Sequence, residues 1–264
     1  MIIYKSEKEI EILKEGGEIL SNVLNEVALK IEPGITTGDL ENIACGLIEK
    51  AGGRPSFKGY KSLMDSRAFP TALCTSINEE VVHAPALPPR ELKEGDIIGI
   101  DLGMEYPFGS GTSGYYTDMA RTIPVGNVGE KVKKLLSVTE ESLYRAIEAA
   151  IPGNSLNDIG KAIQAYVEAN GFSVVRDLVG HGVGIAVHED PQVPNYEIKE
   201  NRFKNEILKK GMVIAIEPMV NMGAYRVKNL PDGFTIATED GGLSAHFEHT
   251  IAIREKDNLI ITNQ

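Results

Sequence analysis

An α+β fold built from two like halves follows from three features of this 264-residue chain. Sliding the sequence on itself by 119 positions aligns residues 33–52 with 152–171 without a gap, bringing Pro33 onto Pro152, Gly34 onto Gly153, Asp39 onto Asp158, Glu49 onto Glu168 and Gly52 onto Gly171. Each copy is preceded by a longer helical pattern and followed by short strand-like runs. Helices followed by strands suit an α+β layer arrangement better than alternating βαβ units. An apolar run closed by an acid also occurs twice, Leu92 to Asp101 and Leu208 to Glu217. The chain therefore reads as one unit, 1–264, with halves of about 1–126 and 127–264 whose sheets pair about a pseudo-twofold axis.

The elements follow in order. A helix is expected over roughly 7–31. Thr36 or Thr37 can cap the next, in which Leu40, Ile43, Ala44, Leu47, Ile48 and Ala51 recur at helical spacing. Gly52 ends it, because glycine accepts the left-handed conformation that closes a helix. Strands are expected at 97–102 and 114–123. The second half repeats the scheme with a helix over 127–150 and a cap at Ser155. A helix with Ile159, Ala162, Ile163, Tyr166 and Val167 on the same phases then ends at Gly171. Strands are expected at 172–176, 212–218, 234–238 and 246–253.

A net charge of −11 and a pI near 5.0 argue against nucleic-acid binding, which needs a basic surface to displace phosphate counterions. The N-terminus becomes charged by Lys5 and Glu7, too early for a signal peptide, and no run of about 18 apolar residues would span a membrane. The two cysteines, Cys45 and Cys74, lack paired spacing, which fits a reducing cytoplasm. Cys45 reads as a small core residue on a helix, and Cys74 could line a pocket.

An ionised carboxylate at the end of a buried strand needs a partner, since isolated burial costs far more than folding can spare. Side chains two apart share a strand face, so Asp101 lies beside Gly99 and Glu217 beside Ala215, leaving room above each acid. Asp118 in the run 115–123 and Glu248 in 245–253 form a second matched pair. Four converging carboxylates would repel one another, and divalent cations remove that difficulty. A nitrogen ligand could come from His181 or His188 within Gly180 to Glu189, where the glycines would let a ligand approach the backbone. Carboxylates with one imidazole suit manganese, iron, cobalt or zinc.

Taken with their surroundings, His83, Asp101, Asp118, His181, His188, Glu217 and Glu248 resemble type I methionine aminopeptidases over nearly the whole chain. The motifs carrying the resemblance are Ser76 to His83, Gly180-His181-Gly182-Val183-Gly184, Ile216-Glu217-Pro218-Met219-Val220 and Leu243 to Thr250. The resemblance implies a pita-bread fold, in which a curved antiparallel sheet covered by helices holds two divalent metal ions between the halves. It assigns Asp101, Asp118, His181, Glu217 and Glu248 as ligands, with Asp118 and Glu248 bridging both ions. Two ions can activate one water for attack on a peptide carbonyl. Glu217 would then shuttle the proton, His188 would hydrogen-bond the developing oxyanion, and His83 would contact the scissile amide. Phe69, Cys74 and Phe234 are the expected pocket for the methionine side chain, with Tyr60 a further candidate. Asn78 and Ser244 are the expected holders of a monovalent cation. His246 and His249 receive no ligand role.

Two departures stand out. The connection Leu102 to Thr117 is longer than the family's usual hairpin and is expected to enlarge a surface turn. Val187 stands where an aromatic is common, a change that could broaden selectivity. The expected partners are N-terminal peptides of nascent proteins whose second residue is small, with the ribosome a further candidate, and the expected state is a monomeric, cytoplasmic chain. The competing readings are an Xaa-Pro aminopeptidase or dipeptidase of the same fold and a non-catalytic peptide-binding protein. No phosphate-cradling Gly-x-x-x-x-Gly-Lys-Ser/Thr motif exists to support nucleotide binding.

Overall fold

The computed structural model describes residues 1–61, 67–109, 111, 113–199 and 203–263. Among these residues four helices form where the periodicity expects them: α1 (Glu7–Ala28), α2 (Thr37–Lys50), α3 (Glu130–Ala149) and α4 (Leu156–Ala169). The starts of α2 and α4 use the same device. The Asp39 carboxylate accepts from the Thr36 N–H at 3.1 Å and hydroxyl at 2.6 Å, and Asp158 accepts from the Ser155 N–H and hydroxyl, each at 2.8 Å. These bonds satisfy N–H groups that a helix start leaves free and hold both carboxyls below their ordinary pKa. Gly52 and Gly171, at φ +79° and +85°, close the same two helices. The outer helices are shorter than expected. After Ala28 the chain tightens into i→i−3 turns at Lys30 and Ile31, and extended Gly129 caps α3.

The strands form an antiparallel nine-stranded sheet with its seam between Tyr115–Pro124 and Glu248–Ile253, where Glu248 faces Ala120 and His249 faces Met119. Ile97–Tyr106 lies outside the first seam strand, and Leu73–Ile77 outside that, pairing Cys74 with Asp101. On the other side come Val213–Ile216, Gly180–Gly182 and Glu189–Val193.

Alternation along these strands separates core from site. Ile98, Ile100, Leu102 and Met104 pack with Leu20, Leu24, Leu40 and Ile48 from α1 and α2. Ile214, Ile216, Ile251 and Ile253 pack with Leu135, Ile159, Ile163 and Val167 from α3 and α4. Each such side chain contributes about 1.5–3 kcal/mol on burial, enough to hold the intervening residues against the opposite face. Gly99, Asp101 and Gly103 therefore share that face, as do Ala215 and Glu217.

Several strand expectations change. The run 172–176 narrows to Ser173–Val174 and 212–218 to Val213–Ile216. Asp101 does not end its strand, because the ladder continues from Gly103↔Asp118 to Tyr106↔Tyr115 and Glu105 also pairs with Arg54. Half of the long connection is consequently strand, 102–106 and 115–117. Of the remaining turn, Phe108 is half exposed under the Arg54 guanidinium at 4.6 Å, while Ser110 and Thr112 lie outside the described residues. The run 234–238 narrows to Ile236–Thr238, because the Asp232 carboxylate captures the N–H groups of Phe234 and Thr235. The run 246–253 splits at Phe247. Ser244–His246 joins a three-stranded sheet with Met219–Asn221, and only Glu248–Ile253 joins the large one.

Candidate metal centre

The acids converge where the two central strand pairs meet. Two threonines lace the seam beneath them. The Thr250 hydroxyl donates to the Asp118 carbonyl at 2.8 Å and accepts the Asp118 N–H at 3.0 Å; Thr122 does the same with the His246 carbonyl and N–H at 2.9 and 2.8 Å. Sequence reading missed both. The available signal was a buried hydroxyl two or four residues from a ligand on the same strand face.

His181 is oriented by its backbone. Its Nδ1 lies 2.9 Å from the Gly182 carbonyl, which can only accept, so the proton sits on Nδ1 and Nε2 presents a lone pair. That lone pair faces the Glu217 Oε1 at 3.6 Å and the Asp118 Oδ2 at 4.0 Å. Burial, with His188 and His83 nearby, pushes His181 down to about 3, so it stays neutral. The glycines around it are required by packing. A Cβ on Gly180 would stand 2.3 Å from the Ala215 carbonyl oxygen, and one on Gly182 would stand 2.2 Å from that of Asp190.

The carboxylates share one difficulty. Burial pushes Asp101 up to about 7 despite hydrogen bonds to Asp118 and the Cys74 thiol, and raises Asp118, Glu217 and Glu248 well above their ordinary range. The charges of neighbouring acids add to each of these last three increases. Asp101 Oδ1, Asp118 Oδ1 and Glu248 Oε1 are buried without a hydrogen-bond partner, as is Nε2 of His246. One ligand atom each from Asp118, His181 and Glu248 lies within 4.8 Å of the others. Two buried carboxyls and a half-buried imidazole at that spacing are the donor set of a hard or borderline cation, so the residues fit a metal.

The raised carboxyls have a measurable sign. Metal ligands must be deprotonated, so adding Mn²⁺ to metal-free protein at pH 7 is expected to release protons, read by calorimetry in buffers of different ionisation heat. In the metal-free fold these groups hold protons that the unfolded chain gives up near 4. Stability should therefore fall as pH rises from about 4 through about 7, and metal should reverse the loss. Binding heats that do not change with buffer would contradict this.

The cluster forms the floor of a cleft of about 750 Å³. His83, Asp101, Asp118, His181, His188, Glu217 and Glu248 all line it, together with Phe69, Cys74, Phe234 and Tyr60. The Phe69 and Phe234 rings meet edge to face at 5.4 Å, and Arg67 stacks over Phe234 at 4.5 Å. Phe57 and Met219 complete apolar stretches that the sequence did not single out. Val187 is buried and does not line the cleft. Of the poorly matching 58–67 segment, residues 62–66 lie outside the described residues, but Tyr60 is placed firmly: its hydroxyl hydrogen-bonds His188 Nδ1 at 2.8 Å. His188 also packs against the His181 ring at 4.5 Å. His83 holds φ +62°, an uncommon conformation for a residue with a side chain and one that recurs at functional sites.

Other histidines and polar groups sort differently. His246 is buried with Nε2 3.8 Å from Glu217 Oε2 and 4.0 Å from Glu248 Oε2, so it belongs against the cluster. His249 points to the helix side, 3.0 Å from Thr262 and 3.5 Å from the Tyr144 hydroxyl. Asn78 and Ser244 are adjacent outside the cleft, the Ser244 N–H donating to the Asn78 carbonyl at 2.9 Å. The Asn78 side chain bonds Asp96 and Ile97, and the Ser244 hydroxyl bonds Asn221.

A helix-backed antiparallel sheet with a carboxylate–imidazole cluster at the floor of a cleft is an arrangement that suits a metal-dependent hydrolase. Residues 11–255 match the metallopeptidase family M24, and the chain belongs to that family. It is 50% identical over 263 residues to a methionine aminopeptidase of Clostridium perfringens, covering 99% of both chains. Its fold superposes on the crystal structure of methionine aminopeptidase from Thermotoga maritima with a TM-score of 0.91, at 42% identity and full coverage of both. A prolidase from Pyrococcus horikoshii shares the pita-bread fold with a TM-score of 0.75 at 25% identity, but this chain covers only 64% of it.

Proposed function

We propose that this chain is a methionine aminopeptidase that removes the initiator methionine from new proteins whose second residue is small. The observation that carries the proposal is the cluster of Asp118, His181 and Glu248, whose ligand atoms lie within 4.8 Å of one another at the floor of an apolar-walled cleft. The chain acts as one catalytic unit, 1–264, with halves of about 1–126 and 127–264.

Asp101, Asp118, His181, Glu217 and Glu248 hold two divalent ions, of cobalt, manganese, iron or zinc. When bound, such ions supply Lewis acidity that polarises the first peptide carbonyl and lowers the pKa of water. Phe69, Cys74 and Phe234 receive the methionine side chain. Glu217 takes the proton of the attacking water and passes it to the departing amine. His188 donates to the carbonyl oxygen as charge develops there, with Tyr60 fixing its ring at Nδ1. His83 contacts the scissile amide nitrogen, completing a set that breaks the C–N bond as water adds to carbon. Asn78 and Ser244 are retained as the proposed monovalent cation site. No helix among the described residues is long and apolar enough to cross a membrane. The proposed setting, which follows from the substrate, is a monomeric cytoplasmic enzyme working on nascent chains at or near the ribosome.

Hydrolysis of Met-Ala, Met-Lys, Leu-Ala and Ala-Pro peptides by the metal-loaded protein tests this reading. Met-Ala should lead, with Leu-Ala slower by about 10-fold or more, because an apolar slot separates similar side chains by about 1–3 kcal/mol. Preference for Ala-Pro would favour the Xaa-Pro alternative and overturn the proposal. Binding without cleavage of any peptide would favour a non-catalytic protein.

A further inference from the structure

The N-terminal segment reaches the cleft through a buried ion pair that the chemistry above does not use. Lys5 Nζ lies 2.5 Å from Glu189 Oε2, and the two side chains are 1% and 3% exposed. The other Glu189 oxygen, Oε1, accepts the backbone N–H groups of Ile185 and Ala186 at 2.5 and 2.9 Å. One carboxylate thus joins the N-terminal segment to the turn that leads into His188, the residue immediately before it.

The surroundings are shaped for this contact. Gly184 has φ +133°, and a Cβ there would stand 2.6 Å from Lys5 Cε. The Lys5 N–H donates to the Gly211 carbonyl at 2.7 Å, and a Cβ on Gly211 would stand 2.9 Å from the Lys5 carbonyl oxygen. Glu189 faces Gly182 across the hairpin, beside a register shift at His181. The clasp therefore closes the link between two imidazoles of the site, His181 and His188. A buried pair of this kind adds little net stability, but it strongly resists loss of one partner.

We infer that Lys5 is a positioning residue for His188, acting through Glu189 to fix the turn that aims the imidazole into the cleft. This rests on the role given to His188 above. Small misplacement of a catalytic group by a distant change can cost up to about 100-fold in rate.

The test uses the full-length, metal-loaded protein and Met-Ala peptide. Lys5→Met should lower kcat by about 10- to 100-fold with KM within about twofold and unchanged bound metal. Lys5→Arg, which keeps the charge, should recover most of the loss. In a His188→Ala background, Lys5→Met should cost less than about twofold more, because residues acting through one group are not additive. An equal loss in both backgrounds, or a normal kcat in Lys5→Met, overturns the inference. A normal kcat in His188→Ala instead removes the role of His188, and with it this proposal. If Lys5→Met does not fold, Glu189→Gln keeps the backbone acceptor. The same cycle run with that variant supports the inference if the loss vanishes in the His188→Ala background and overturns it if the loss persists there.

Discussion

Glu217→Gln should leave a folded protein whose kcat on Met-Ala has fallen by about 10²–10⁴-fold, the range that positioned proton transfer supplies. The substitution keeps the side-chain volume at a site where Glu217 Oε1 lies 3.6 Å from His181 Nε2 and Oε2 lies 3.8 Å from His246 Nε2. What it removes is the group's ability to accept and return a proton, together with the charge of one metal ligand, so bound metal is counted beside kcat and the shuttle is read at full occupancy. The backbone anchor survives, because the Glu217 carbonyl, not the side chain, accepts from Asn195 at 3.0 Å. Steady-state kinetics with circular dichroism checks both halves of the expectation. A near-normal kcat would refute the shuttle.

Glu248→Gln should shift metal-free and metal-loaded stability in opposite directions. Glu248 is 3% exposed, lacks a partner at Oε1, and is pushed to a high pKa by burial and by the charges of Asp118, Glu217 and Asp101. In the metal-free protein at pH 7 the unfolded chain's ionised Glu248 must take up a proton to be buried, a cost that a neutral amide avoids, and replacing a buried ionisable group commonly stabilises by about 1–4 kcal/mol. With metal present the change removes a ligand. Wild-type protein gains about 4 kcal/mol at a metal concentration about 1,000 times Kd, and the variant should forfeit most of it. Melting curves with and without Mn²⁺ should therefore cross. A variant destabilised equally in both conditions would make Glu248 a packing residue and remove it from the metal site.

Much of this architecture is legible in the sequence because it is local. The boxes at Thr36/Asp39 and Ser155/Asp158 are short-range bonds with a fixed spacing, and strand alternation pairs Asp101 with Gly99 and Glu217 with Ala215 directly. The site acids stand out because apolar neighbours make their burial anomalous. Contacts that join distant segments leave no such trace. The threonine lacing at Thr122 and Thr250, the grip of Tyr60 on His188 and the Lys5–Glu189 pair each cross more than 100 positions. The role of the glycines flanking His181 is hidden for the same reason. Their need is set by the carbonyls of Ala215 and Asp190, on strands that only the fold brings near. The continuation of the Asp101 strand to Tyr106 is masked because its ladder partner, Tyr115 to Asp118, lies across a glycine-rich stretch of sequence.

The most direct measurement follows methionine release from Met-Ala while metal-depleted protein is titrated with Mn²⁺ or Co²⁺ and bound metal is counted. Activity should be absent without metal, rise with occupancy of the cluster and reach its maximum with no more than two ions per chain. Full methionine release by metal-free protein, or activity that ignores occupancy, would contradict the account.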